Sequence, residues 1–229
     1  MKKSFYKLLK NIPLHYVVGK KEIEDLTLYL NKSTLIPRDE TIELIYKTFS
    51  KINNKKSVRI LEIGTGSGVI SLQLGILLKH ANISYEIVAT DISNKALKIA
   101  KKNQKVNNVE NIFFVKSNIF DKIDNKFDVI ISNPPYIDKN DPHISKIVKK
   151  YEPKKALFAK NQGLYFYQEI FKNAFKYLNK NYLICFEHGF KQKEDLLKTI
   201  KNQKFFALSN IIFEKDLSNK DRFLFVNNL

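Results

Sequence analysis

The stretch that decides the fold is "SVRILEIGTGSGVISLQLGILLKH", residues 57–80. It opens with an apolar run typical of a buried strand, passes through Gly64, Gly66 and Gly68, and continues as an apolar segment of helical length. Glycine allows a positive φ and a close approach of a ligand to the backbone, and the N-terminus of the next helix is partly positive. The stretch therefore predicts a strand, a ligand-binding turn and a helix. A purely structural turn of a doubly wound fold is the alternative.

Strand-like and helix-like segments alternate through the rest of the chain. Helices are predicted at 93–107, 163–178 and 189–203. The predicted strands after residue 80 are "YEIVATD", "NIFFVKSN", "KFDVIISN", "NYLICFE", "FALSNIIFEKD" and "RFLFVNN". Such alternation predicts an α/β fold with a mostly parallel seven-stranded sheet covered by helices on both faces. The last two strands share a short connection, so we expect the pair to include one antiparallel edge strand, the last strand of the chain.

Residues 1–50 precede this alternation and predict a smaller unit. A short helix is predicted at 3–10, and "HYVVG" with "LTLYLNKSTLI" suggests a hairpin or two short strands. Another helix is predicted in "RDETIELIYKTFSKI". We interpret residues 1–50 as a short lid or substrate-facing segment and residues 51–229 as the core domain.

The composition limits the location and the partners of the protein. The formal net charge is +17, yet arginine occurs only at positions 38, 59 and 222, and the lysines form no single tract. Because phosphate and base recognition favours arginine forks, we expect no direct nucleic-acid binding, although the charge leaves that alternative open. The single Cys185, the absence of a long apolar run and the absence of a secretory leader predict a cytoplasmic protein without membrane contact or a metal site. We expect it to be a monomer.

An acidic residue completes the glycine turn. Glu62 stands two residues before Gly64, and this arrangement resembles motif I of the class I S-adenosylmethionine-dependent methyltransferases, which have a Rossmann-like fold. A dinucleotide fingerprint would need glycine at Val69, and no Lys-Ser/Thr pair follows the turn, which excludes a phosphate-gripping loop. The resemblance implies that S-adenosylmethionine is the cofactor. The residues that it implies as cofactor contacts are Glu62, Gly64, Thr65, Gly66, Ser67 and Gly68.

The ends of the next two predicted strands supply further cofactor candidates. Asp91 ends "YEIVATD", where a carboxylate accepts hydrogen bonds from both hydroxyls of a ribose. The alternative is that Asp91 is an N-cap for the helix that starts near Ser93. Asn118 and Ile119 follow the third strand, and the resemblance implies that they flank the adenine. An ordinary polar loop residue is the alternative for Asn118.

The fourth strand of the core ends in "DVIISNPPYI", residues 128–137. It delivers Asn133 to the sheet edge where ligands bind in open α/β folds. There Asn133 is expected to face the sulfonium methyl and to be a further cofactor contact. Proline has a fixed φ and no N–H, so the two prolines give a stiff bend that leaves the Pro134 carbonyl free. A buried turn capped by Asn133 is the alternative.

This bend suits one kind of chemistry. The side-chain oxygen of Asn133 and the backbone oxygen of Pro134 would accept both hydrogens of a planar NH2 group and hold its nitrogen in line with a sulfonium methyl. Tyr136 is expected to stack on the planar group. The residues predicted to bind this substrate are Asn133, Pro134, Pro135 and Tyr136, and the predicted catalytic residues among them are Asn133, Pro134 and Tyr136.

Several segments, in order, resemble those of the peptide chain release factor glutamine N5-methyltransferases. The likeness runs from about Pro13 to Val226 and is carried by "PLHYVVGKKEI", "TLIPRDETIELI", "LEIGTGSGVIS", "FDVIISNPPYI", "EPKKALFAKNQGLYFYQEI" and "DLSNKDRFLFV". It implies methylation of the glutamine amide in the Gly-Gly-Gln loop of class I release factors by a catalytic domain at 51–229. Arg38 and Glu40 would order a lid over the site, with a surface salt bridge beside a helix cap as the alternative. Family members usually have a longer N-terminal helical domain, so residues 1–50 are expected to be a shortened substrate-binding region.

Three other functions compete with this one. A sister family methylates a glutamine of ribosomal protein L3, but it usually has Ser-Pro after Ile-Pro-Arg, where this chain has Asp39 and Glu40. Methylation of adenine N6 in nucleic acid would suit the charge, but the chain has no insertion large enough to hold DNA around a flipped base. A cofactor-free RNA-binding module is the non-enzymatic alternative, and the intact glycine turn and Asn-Pro-Pro-Tyr motif weigh against it.

Overall fold

The computed structural model describes residues 11–228, so the helix predicted at 3–10 lies outside the described residues. The first elements are α1 (Leu14–Val18), β1 (Lys20–Ile23), β2 (Leu26–Tyr29) and α2 (Asp39–Ile52). They are followed by β3 (Ser57–Ile63), α3 (Val69–His80), β4 (Ser84–Asp91), α4 (Asn94–Val106), β5 (Ile112–Lys116) and β6 (Phe127–Ser132). The last elements are α5 (Lys146–Tyr151), α6 (Lys154–Leu157), α7 (Tyr165–Asn173), β7 (Leu178–Glu187), α8 (Lys193–Lys201), β8 (Asn210–Lys215) and β9 (Asp221–Asn227). Within residues 11–228, no helix combines the length and the apolar character that a membrane span needs.

The large sheet has seven strands in the order β5-β4-β3-β6-β7-β9-β8. Only β9 runs against the others, pairing antiparallel with both β7 and β8, which confirms the predicted mostly parallel seven-stranded sheet. The prediction that the last strand is antiparallel is confirmed, but its expected place at the edge is not, because β9 lies inside the sheet and β8 forms the edge. The cause is burial: Phe223, Leu224, Phe225 and Val226 of β9 are fully buried on both faces, whereas β8 is half-buried and suits an edge.

Both faces of the sheet are covered by helices because alternate residues of a strand point to opposite sides. Ile60 of β3 packs into the core shared with α2 and α3, and its neighbour Leu61 packs into the core shared with α7 and α8. Both residues are fully buried. This arrangement leaves the carboxyl ends of β3, β4, β5 and β6 along one edge of the sheet.

The segment before the sheet differs from its prediction. The residues "HYVV" lie in α1, which ends at Gly19 with a φ of 83° and an N–H that donates to His15 O at 2.8 Å. The predicted hairpin exists, but β1 and β2 form it as an antiparallel pair. A short apolar run does not distinguish one turn of helix from a strand, and here a glycine in the left-handed conformation closes the helix.

Two asparagines of α4 join the hairpin to the core. Asn103 Oδ1 accepts from Tyr29 N at 2.8 Å, and its Nδ2 donates to Tyr29 O at 3.1 Å. Asn107 makes the same pair of bonds to Thr27, at 2.9 and 3.0 Å. Side-chain amides thus take the place of a neighbouring strand along the edge of β2. Helix α2 follows and runs through the predicted boundary after residue 50, and the division of the chain into two units stays a prediction.

Candidate active site

A cavity of about 590 Å³ opens at the carboxyl ends of β3, β4, β5 and β6. Residues of the segments 32–37 and 153–158 also contribute to its lining. The predicted site residues that line it are Glu62, Gly64, Thr65, Gly66, Ser67, Asp91, Asn118, Ile119, Asn133, Pro134 and Pro135. Gly68 and Tyr136 lie outside this lining. The structure therefore brings most of the predicted residues together in one cavity.

The glycine turn folds back against the end of β4. The N–H groups of Gly64 and Thr65 both donate to Thr90 O at 2.8 Å, and Gly66 N donates to Asp91 Oδ2 at 2.9 Å. Gly66 has a φ of 55°, in the left-handed region that favours glycine. These bonds fix the turn relative to the acid at the end of the neighbouring strand.

Gly68 has a packing function at the start of α3. A Cβ added there would lie 3.3 Å from the Ala100 Cβ of α4, at a φ of 87° that side chains rarely adopt. The absence of a side chain lets the two helices approach each other behind the cavity. Its predicted contact with the cofactor remains a prediction.

Glu62 is a buried acid with one unused oxygen. Its Oε2 accepts from Thr65 Oγ1 at 2.8 Å and from Ser71 N at 3.2 Å, whereas Oε1 has no hydrogen-bond partner among the described residues. Burial raises the pKa of Glu62 to about 7, the bonds from Ser71 and Thr65 oppose that rise, and the charge of Asp91 adds to it. An unpartnered acceptor in the wall of a cavity fits a ligand with an N–H donor, such as the ammonium of an amino-acid group.

This buried acid predicts a pH effect on stability. Because burial raises the pKa of Glu62 to about 7 in the folded state, Glu62 keeps its proton over a pH range in which the unfolded chain, with the ordinary pKa of 4.5, has released it. The folded state therefore binds more protons between these values, and its stability falls as the pH rises through that window. Replacing Glu62 with glutamine removes this contribution. The free energy of unfolding is measured in urea at pH 5 and at pH 8. We expect it to fall between these values by about 2 kcal/mol less in Glu62→Gln than in the wild type. Equal losses in the two proteins would contradict this prediction.

Asp91 lies at the end of β4 in the wall of the cavity. Its Oδ1 accepts from Ser93 N at 2.8 Å and its Oδ2 from Gly66 N. The N-cap of α4 is Ser93, whose hydroxyl accepts from Ala96 N at 3.2 Å, so the alternative that Asp91 is the N-cap is wrong. Burial raises the pKa of Asp91, and the two backbone bonds lower it. Each carboxylate oxygen retains a further lone pair, which suits a pair of hydroxyl groups.

Ile119 and Asn118 line the cavity after β5. Ile119 has a φ of 52°, which a β-branched residue rarely adopts. Ser117 stabilises the turn, since its hydroxyl donates to Ile119 O at 3.1 Å and accepts from Lys122 N at 3.2 Å. Strained backbone of this kind costs on the order of 1–3 kcal/mol and is typical of ligand clamps. The predicted adenine contact remains a prediction.

Asn133 and Pro134 present two acceptor atoms after β6. Asn133 Nδ2 donates to Thr41 Oγ1 of α2 at 2.9 Å. Among the described residues, neither Asn133 Oδ1 nor the Pro134 carbonyl oxygen accepts a hydrogen bond, and both residues line the cavity. The two oxygens thus stay available to a ligand that carries two N–H bonds.

A second buried acid, Glu187 at the end of β7, lies behind Asn133. Its Oε2 accepts from the Thr41 hydroxyl at 2.7 Å and its Oε1 from the Tyr136 hydroxyl at 3.2 Å. Burial raises the pKa of Glu187 to about 7, while the Thr41 bond and the charge of Arg222 lower it. Burial, and then the Glu187 carboxylate, raise the pKa of Tyr136. Because this bond ties Tyr136 to Glu187 outside the cavity lining, its stacking on a substrate remains a prediction.

The sequence analysis missed Thr41 and Glu187. Glu187 does carry a signal, because it is an acid at the carboxyl end of a parallel strand, as Asp91 is. Thr41 lies in the segment "TLIPRDETIELI" that carries the resemblance, but nothing in the sequence points to its contacts, because its partners lie 92 and 146 residues away in the chain.

Arg38 joins the two segments that line the cavity beyond the sheet edge. Its guanidinium forms an ion pair with the buried Glu152, which also accepts from Ile36 N at 3.4 Å. The Tyr16 hydroxyl donates to Thr34 O at 2.7 Å in the same region. These contacts hold segment 32–37 beside segment 153–158. The lid role of Arg38 and Glu40 remains a prediction.

The fold and the site define a class of protein. Residues 38–151 match the family model described as methyltransferase small domain. The N-terminal domain of human METTL16 in complex with SAH has a TM-score of 0.60 and 19% identity, covering 88% of this chain and 75% of that chain; at this identity the likeness concerns the fold alone. The strand order, the glycine turn and this match define a class I S-adenosylmethionine-dependent methyltransferase.

Curated relatives narrow the class to a family. The release factor glutamine methyltransferase of Lactococcus lactis is 40% identical over 221 residues, which are 96% of this chain and 79% of the relative. The enzyme of the same name from Buchnera aphidicola is 38% identical over 213 residues, 93% of this chain and 74% of the relative. The chain belongs to the release factor glutamine methyltransferase family.

Proposed function

We propose that this protein transfers a methyl group from S-adenosylmethionine to the side-chain nitrogen of the glutamine in the Gly-Gly-Gln loop of class I peptide chain release factors. The reaction would modulate translation termination in the cytoplasm. Membership of the family supports this substrate. The observation that carries the proposal is the pair of unused oxygens on Asn133 and Pro134, because a primary amide presents two N–H bonds to such a pair.

The wall of the cavity near β3 and β4 fits the cofactor. The unpartnered Oε1 of Glu62 would face the ammonium of its amino-acid end, and Asp91 would accept from the ribose hydroxyls. Asn118 and Ile119 would flank the adenine. When bound, S-adenosylmethionine supplies a methyl group on a positively charged sulfur, which is already activated for transfer.

The protein acts on the weak nucleophile. In the transfer, the glutamine nitrogen would gain the methyl group and lose one proton to water, and S-adenosylhomocysteine would be the second product. Because the lone pair of an amide is delocalised, orientation and charge stabilisation decide the rate. Asn133 Oδ1 and Pro134 O would accept the two N–H bonds, which directs the nitrogen at the methyl and stabilises the positive charge that builds on it. No base is needed before the attack, since the N–H bonds become acidic as the new bond forms.

A labelling experiment tests the proposed substrate. The protein is incubated with S-adenosylmethionine carrying a radioactive methyl group and, in separate reactions, with a class I release factor, ribosomal protein L3 and duplex DNA. We expect label in the release factor alone. The matched control is the same release factor with its Gly-Gly-Gln glutamine replaced by alanine, and we expect that change to abolish labelling.

Other labelling patterns would contradict the proposal in identifiable ways. Label in the ribosomal protein alone would assign the chain to the sister activity, and label in DNA alone would assign it to adenine methylation. Equal label in the wild-type and Gln→Ala release factors would place the methyl group on a different residue.

A further inference from the structure

Thr41 connects the Asn133 side chain to a buried acid. Asn133 Nδ2 donates to Thr41 Oγ1 at 2.9 Å, and Thr41 Oγ1 donates to Glu187 Oε2 at 2.7 Å. Thr41 is 3% exposed and Glu187 is 2% exposed, so the bond between them is buried, and a buried hydrogen bond is stronger than one in water. The three residues form one chain of hydrogen bonds from the wall of the cavity into the core.

The chemistry of the Thr41 hydroxyl gives this chain of hydrogen bonds a direction. A hydroxyl has a single proton, and an ionised carboxylate only accepts, so the Thr41 proton is committed to Glu187. The oxygen of Thr41 is then left as an acceptor toward Asn133. Only the NH2 end of the Asn133 carboxamide donates, and it must therefore face Thr41. The carbonyl end, Oδ1, is consequently the end available to a ligand.

We propose that Thr41 and Glu187 are positioning residues that fix which end of the Asn133 carboxamide faces the substrate. The role rests on the proposed function, in which Oδ1 accepts an N–H bond of the substrate amide. A carboxamide turned by 180° would present its own NH2 group to the NH2 group of glutamine. Two donors would then face each other, and the substrate nitrogen would lose one of its two acceptors.

The arrangement also makes the orientation depend on proton uptake by Glu187. A neutral carboxyl donates to Thr41, which frees the Thr41 proton for Asn133 Oδ1 and turns the carboxamide. The groups that face the Glu187 carboxyl are the hydroxyls of Thr41 and Tyr136, the guanidinium of Arg222 and the carboxylate of Glu40, whereas the Tyr167 hydroxyl donates to the backbone oxygen of Glu187 at 2.7 Å. Burial raises the pKa of Glu187 to about 7, so the ionised form gains population as the pH rises through that value.

The kinetic test uses variants at both positions and a matched control. Thr41→Val keeps the shape and removes both bonds, Thr41→Ser keeps the hydroxyl, and Glu187→Gln supplies a donor in place of the acceptor. We expect Thr41→Val to lower kcat for release factor methylation about tenfold with little change in the KM for S-adenosylmethionine, and Thr41→Ser to restore the rate.

Glu187→Gln is expected to lower kcat at least as much and to abolish the rise of kcat with pH near 7. Thr48→Val, the same change at a buried position of α2 outside the cavity lining, is expected to leave kcat unchanged.

A second measurement needs no substrate. The side-chain amide protons of Asn133 are identified by NMR through their loss in Asn133→Asp. We expect the proton donated to Thr41 to be protected from exchange with water in the wild type and in Thr48→Val, and to lose that protection in Thr41→Val and Glu187→Gln. Wild-type kcat in Thr41→Val, or unchanged Asn133 amide protection in Thr41→Val and Glu187→Gln, would overturn the inference. If the wild type fails to methylate a release factor while the amide protection changes as described, the proposed substrate fails and the orientation by Thr41 stands.

Discussion

Replacing Asn133 with alanine is expected to lower the turnover number about a hundredfold and to leave cofactor affinity nearly unchanged. The change removes one of the two oxygens that would hold the substrate amide, and loss of one preorganised polar contact at a reacting centre costs on the order of a hundredfold in kcat. Cofactor affinity should persist because Glu62 and Asp91 are unchanged. These residues would hold the ammonium and the ribose of S-adenosylmethionine, and they lie on β3 and β4.

Two measurements together check this prediction. Turnover is followed with the release factor as substrate, and cofactor affinity is followed by calorimetry with S-adenosylhomocysteine. The control is Asn140→Ala, which removes the same side chain from an exposed position seven residues further along the chain. Turnover at the wild-type level in Asn133→Ala would make Asn133 a structural residue. A hundredfold loss of cofactor affinity would move its role from the substrate to the cofactor.

The sequence predicted the fold well because the fold depends mostly on local patterns. Residues 57–80 contain a complete strand, turn and helix, and the periodic segments that follow repeat the same unit. The position of β9 could not be predicted this way, because strand order depends on which strand is buried on both faces. The helix α1 was missed because its few apolar residues suit a strand equally well.

In the site, too, features that depend on local sequence could be predicted, whereas contacts between distant residues could not. Asp91 and Asn133 were predicted because each ends a strand, and parallel strands bring their carboxyl ends to one edge. The orientation of the Asn133 carboxamide depends on Thr41 and Glu187, which reach it from α2 and from the end of β7. No spacing in the sequence relates these three residues, so only the folded structure shows that they are connected.

Replacing Gly163 with alanine is expected to lower the free energy of unfolding by about 2 to 4 kcal/mol and to reduce turnover as well. Gly163 has a φ of 87°, and an added Cβ would lie 2.0 Å from Tyr136 O and 2.6 Å from Gln192 Nε2. Gln192 Nε2 donates to this same Tyr136 oxygen at 3.0 Å. The new methyl group therefore has to displace the backbone that follows Asn133 and Pro134. The stiff bend would lose its fixed position relative to the cavity.

The control for Gly163→Ala is Gly19→Ala, because Gly19 has a similar φ of 83° and no atom within 4 Å of an added Cβ. That change carries only the strain of the left-handed conformation, about 1 kcal/mol, and should leave turnover intact. Chemical unfolding of both variants separates the two contributions, since the excess loss in Gly163→Ala measures the clash with Tyr136. Equal losses in the two variants would mean that the backbone at Tyr136 yields easily. The two prolines alone would then have to hold the Asn133 and Pro134 oxygens in place.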